Sequence, residues 1–184
     1  MSLLLDGSAG ITFPDASVQT TTGQPVSGTA VTASGTSVDF TSIPAWVKRI
    51  TVMISGMSAS ASSTPLIQIG DSGGIEVTGY LGSGGLVNNA SPTVVTARTV
   101  GFAMNSGSSA AAVYYGHATL TLIQASSNTW VFSSVLGRSD GNVLHFGGGS
   151  KSLSGTLDRL RIIGSDTGSP VDTFDAGIIN IMYE

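Results

Sequence analysis

From Ala30 onward the chain alternates apolar and polar positions with a period of two. Ile50, Val52 and Ile54 fall on one side of a strand and Arg49, Thr51 and Ser55 on the other, the signature of a half-buried strand. Leu120 and Leu122 alternate in the same way against His117, Thr119 and Thr121, and Leu160 and Ile162 against Arg159 and Arg161. The closing run from Phe174 to Tyr183 is apolar on both faces in places, as an inner strand would be. Residues 36–40, 65–70, 75–81, 93–104, 129–136 and 142–147 supply further candidate strands, and Leu153 to Ile163 also reads as extended. No stretch keeps a helical period.

Turn residues separate these runs. Asp71-Ser72-Gly73-Gly74, Asn105-Ser106-Gly107, Ser126-Ser127-Asn128 and Asp140-Gly141-Asn142 recur at the spacing of a two-sheet fold. The pattern predicts an all-β protein, an antiparallel β-sandwich of jelly-roll type, with a barrel as the alternative. It also predicts a division. Residues 1–26 hold a short apolar start and the polar junction Thr20-Thr21-Thr22-Gly23-Gln24-Pro25, and residues 27–184 hold the sandwich.

Composition strengthens the β reading and narrows the function. Gly alone contributes 25 of 184 residues and only 10% are charged, a bias that favours turns and short strands over helices. No apolar run approaches the roughly 18 residues of a membrane span, so no membrane insertion is expected. A net charge of -4 with 7 basic residues gives no basic face for nucleic acid. The absence of cysteine removes disulfides, Cys-ligated zinc and thiol chemistry. Met1-Ser2-Leu3-Leu4-Leu5-Asp6 lacks a basic n-region and does not read as a secretory signal.

The run Gly10 to Thr22, GITFPDASVQTTT, closely resembles an element of the form ITFPDGTVQ-T-T found near the start of tail-fibre and other virion-surface proteins of tailed bacteriophages. The approach LLLDGSAG, Leu3 to Gly10, belongs to the same resemblance. It implies a virion-attachment arm in which Ile11, Phe13, Pro14, Asp15, Val18 and Gln19 carry the contact. One position departs: Ala16 stands where that element usually has Gly. Because Ala is penalised at positive φ, Phe13-Pro14-Asp15-Ala16 should form a type I turn. Val38 to Ile50, VDFTSIPAWVKRI, and Phe174 to Ile181, FDAGIINI, are also similar to the small all-β modules that phages carry on fibres and capsids.

The resemblance implies a virion structural protein, tail-fibre-like, assembled in the host cytoplasm and located on the tail or capsid surface. It implies a homotrimer with other virion proteins of tail, baseplate or capsid as partners, and adhesion to a host-surface glycan or protein. A head fibre or capsid-decoration protein is the alternative, favoured by small size and the lack of shaft repeats. A polysaccharide-degrading enzyme would suit the same location, but no residue constellation supports one, and no enzymatic activity or cofactor is expected.

Several motifs only look chemical. Gly70 to Gly74 reads GDSGG, the sequence around the nucleophile of chymotrypsin-like proteases, yet no histidine precedes Ser72. A hairpin turn is the better reading. Gly147-Gly148-Gly149-Ser150-Lys151-Ser152 approaches a phosphate-binding loop but lacks Gly directly before Lys and a helix after it, so a flexible glycine loop is expected. His117 and His145 could be metal ligands, but without a nearby carboxylate motif they read as solvated or hydrogen-bonded strand residues. A ring of one histidine from each chain of a trimer is the exception. Asp166, Asp172 and Asp175 match no calcium loop. Among Trp46, Tyr80, Tyr114, Tyr115 and Trp130, the last should pack in the core with Phe132. Tyr114 and Tyr115 point to opposite faces, so one of them is a candidate host-surface contact.

Overall fold

A computed structural model describes residues 4–6, 10–12, 18–19, 25–88, 92–106 and 109–184. The chain begins with β1 (Leu4–Asp6), β2 (Gly10–Thr12), β3 (Val18–Gln19), β4 (Val26–Ser27), β5 (Val31–Thr32) and β6 (Ser37–Phe40). The long β7 (Arg49–Ala59) is followed by β8 (Pro65–Asp71), β9 (Gly74–Ile75), β10 (Leu81–Asn88), β11 (Pro92–Ala97) and β12 (Phe102–Ala103). The C-terminal half consists of β13 (Tyr114–Gln124), β14 (Thr129–Arg138), β15 (Val143–Ser152), β16 (Arg159–Gly164) and β17 (Phe174–Tyr183). Among the described residues the only helical element is a 3₁₀ turn over Ala125–Ser127.

The strands build three antiparallel sheets. A large sheet runs β11-β10-β15-β14-β13-β7-β17-β4, with β5 also on β17, and a smaller one runs β12-β8-β16-β6, with β9 on β8. Strands β1, β2 and β3 make a third sheet of their own. The inner faces of the first two meet in one core, as expected for an antiparallel sandwich. Ile50, Val52, Ala118, Leu120, Trp130, Phe132, Leu136, Ile179 and Ile181 come from the large sheet, and Val38, Ile67, Ile69, Leu160 and Ile162 from the small one. Phe102 stacks on Phe132 at 4.7 Å and takes the edge of Tyr80 at 4.9 Å.

The two sheets treat their outer faces differently. Every residue of β8 is buried, because the segments around Val100 and Gly168 cover the outer side of the small sheet. Gln68 fixes both, donating to the carbonyls of Val100 and Gly168 at 2.8 Å each. Arg98 adds an ion pair with Asp166 and donates to the Thr64 hydroxyl at 3.2 Å. Beneath this cover Leu66, Ala103 and Ile163 form a second apolar cluster with Val100.

Three sequence expectations are corrected. Residues 147–152 are not a loop: Gly147, Gly148 and Gly149 lie inside β15, paired with β10 on one side and β14 on the other. Their lack of side chains serves close approach. A Cβ on Gly147 would stand 2.1 Å from the Ala103 carbonyl, and one on Gly149 2.6 Å from that of Leu81. Residues 75–81 and 93–104 are not single strands, since the chain leaves the ladder to bury the Tyr80 ring and to pass from β11 to β12. Residues 153–158 are irregular, and extended structure resumes at Arg159.

Candidate functional site

The N-terminal element is described in part. Ile11 lies in β2 opposite Gln19, and Thr12 opposite Val18 in β3, while Leu5 of β1 lies opposite Ile11 on the other side. Phe13, Pro14, Asp15 and Ala16 lie outside the described residues. The segment that carries the motif therefore has its own backbone ladder, and none of its strands joins the ladders of the sandwich. The sandwich takes up the chain at Val26 and Ser27, which pair with Tyr183 and Met182.

Beside that entry point lies a cavity of about 390 Å³. Its floor is Val31, Phe40, Ile43 and Ile181, and its rim carries the hydroxyls of Ser27, Thr29, Thr41 and Ser42, the Asp39 carboxylate and the Tyr183 ring. Asp39 is already engaged, accepting from Arg161 Nε at 2.6 Å and from the Ser37 hydroxyl at 2.7 Å. Trp46, 45% exposed, leans on Tyr183 at 5.7 Å.

Tyr114 and Tyr115 divide as expected. Tyr114 is buried, accepts from Asn105 Nδ2 at 2.8 Å and meets the His145 ring edge-on at 5.4 Å. Tyr115 is 45% exposed on the outer face of the large sheet. It belongs to a row that crosses six strands in register: Ile178, Ser55, Tyr115, Gly137, Leu144 and Val87. The next row contains Asn180, Met53, His117, Val135, Phe146 and Gly85. Thr and Ser fill most of the remainder of the face, and Arg49, paired with Glu184 at 3.3 Å, ends it.

Sequence reasoning predicted one exposed tyrosine of the Tyr114–Tyr115 pair without saying which, and missed this face. The available signal was Leu144 and Phe146 flanking His145 in an alternating strand. Taken alone, hydrophobicity would turn the two apolar residues inward. The opposite is found: His145 is fully buried and neither ring nitrogen has a hydrogen-bond partner. Burial, reinforced by the nearby Arg138 charge, pushes its pKa down to about 4.

The motifs that looked chemical have structural positions. Asp71 and Gly74 pair across a two-residue hairpin loop, so Ser72 and Gly73 form the turn between β8 and β9. Asp71 accepts from the Ser154 hydroxyl at 2.6 Å and from Gly73 N–H at 2.8 Å. The Ser154 bond, then that of Gly73, holds its carboxyl below the usual range. Lys151 is buried on the core side of β15 and paired with Glu76. His117 and His145 lie on opposite faces of the large sheet. Asp166 pairs with Arg98, Asp172 accepts from Ser63 N–H at 2.8 Å, and Asp175 accepts from the Ser58 hydroxyl. Among the described residues no three His, Cys, Asp or Glu side chains converge on a common point.

Comparison with protein-family models, curated proteins and solved structures finds no match.

Proposed function

We propose that this chain is a structural protein of a bacteriophage virion, tail-fibre-like, attached through residues 1–26 and displaying the β-sandwich for adhesion to a host surface. The observation that carries the reading is the GITFPDASVQTTT run, whose described parts pair within a sheet separate from the sandwich. A segment of that size is too short to hold a fold alone and gains order from a partner. A surface of the assembled particle supplies such a partner. Homotrimerisation belongs to the same proposal, as does contact with a host glycan or protein.

A head fibre or capsid-decoration protein is the second reading. It is favoured by the single sandwich that follows the arm directly, with no repeated shaft between them. Gold-labelled antibody against residues 27–184, applied to purified particles of the phage that encodes the chain, tests both. Label on the tail supports the first reading and label on the head the second. Label on neither overturns both.

A further inference from the structure

We propose that the open outer face of the large sheet is the surface through which copies of this chain pack on one another. The starting point is the register of β15. Gly147 and Gly149 must face inward, because a Cβ at either would collide with the Ala103 or Leu81 carbonyl. Side chains alternate along a strand, so that choice also turns His145 and Lys151 inward and puts Leu144 and Phe146 outside. The result is costly on both sides. An imidazole is buried without a hydrogen bond, and Leu144 and Phe146 remain 48% and 39% exposed.

Neighbouring strands extend the same surface. Val135, Tyr115, Val87 and Ile178 are 45% to 54% exposed in the two rows that contain Leu144 and Phe146. The small sheet covers its own outer face with the Val100 and Gly168 segments, whereas nothing among the described residues covers this one. Contiguous exposed apolar surface of this kind marks an interaction site.

Charge and size identify the occupant. Arg49 and Asp175 are the formally charged side chains on the central six strands of this face, and they stand at its opposite ends, Arg49 paired with Glu184 and Asp175 accepting from the Ser58 hydroxyl. A highly charged partner finds no complement here. A second copy brings a face whose centre is equally uncharged, so packing centre on centre strips no ion of water. Six strands at about 4.8 Å spacing, each 8 to 11 residues long at about 3.3 Å per residue, give a face of roughly 950 Å². A standard specific interface takes about 800 Å² from each partner. The short Ser, Thr and Gly side chains between the apolar rows let two such faces approach closely.

This inference rests on the self-association proposed above and names its surface, and it is separable from particle attachment because self-association is read in solution. Sedimentation equilibrium of the full chain across the micromolar range is the test. The wild type should have a mass above the 18.5 kDa of one chain, with two or three copies equally supporting the face as the contact. Val135→Glu, which places a carboxylate at its centre, should raise the dissociation constant about tenfold or more. Val171→Glu, on the segment over the small sheet, should leave it unchanged. Circular dichroism checks that each variant folds, and Tyr115→Glu replaces Val135→Glu if that one does not. A wild type at the mass of one chain, or face variants that associate as tightly as wild type, overturns the proposal.

Discussion

Gly147 and Ala103 hold the two sheets in close contact: a Cβ on Gly147 would lie 2.1 Å from the Ala103 carbonyl oxygen, inside any allowed contact. Gly147→Ala should therefore force β12 and β15 apart. The expected cost is about 1–3 kcal/mol or more, as for an overpacked core, read as a lower urea midpoint. Gly137→Ala is the control, since nothing lies within 4 Å of its added methyl. It should be neutral or slightly stabilising. Equal midpoints for the two variants would show that the sheets can separate without penalty.

That contact also explains what the sequence hid. Strands β7 and β13 were legible because one face of each is buried and the other is not, so Ile50, Val52 and Leu120 alternate cleanly with Arg49, Thr51 and Thr119. The glycine run of β15 follows a different logic. Its glycines are selected by a backbone only one contact away, and nothing in the local pattern announces that backbone. The same applies to Tyr80, whose ring is buried by leaving the strand. The candidate site was half legible: period two set Tyr114 and Tyr115 on opposite faces, but which of them is exposed and the row it joins depend on registers set elsewhere. The motif at Gly10 to Thr22 was legible only by resemblance.

Tyr80→Phe should be destabilising although the ring is kept. The hydroxyl accepts from Ile69 N–H at 2.8 Å in the interior and donates to the part-buried Glu76 carbonyl at 2.8 Å. Removing it strands these groups at a cost of about 1–3 kcal/mol. A thermal melt that matches wild type would show that water or another group replaces the hydroxyl.

His145 makes stability depend on pH in a defined window. Its pKa is about 4 in the folded chain against an ordinary 6.5, so between those values the unfolded chain binds more protons. Stability is therefore complete above pH 6.5 and falls as the pH drops towards 4, by up to about 3 kcal/mol. Asp140, held near 2 chiefly by the Arg138 hydrogen bond, adds its own loss only below about pH 4. His145→Phe removes an imidazole with no hydrogen bond, so it should match or exceed wild-type stability at pH 7 and flatten the curve between 6.5 and 4. A variant curve parallel to wild type would assign the acid sensitivity elsewhere.

Attachment through the N-terminal segment is tested most directly by deleting residues 1–25 and following incorporation into particles. Among the described residues no strand before Val26 belongs to either sheet of the sandwich, so the shortened chain should keep its β-sheet spectrum and its melting temperature. It should also disappear from purified virions that incorporate the full chain supplied in parallel. A shortened chain that folds and still enters particles at the full-length level would contradict the account.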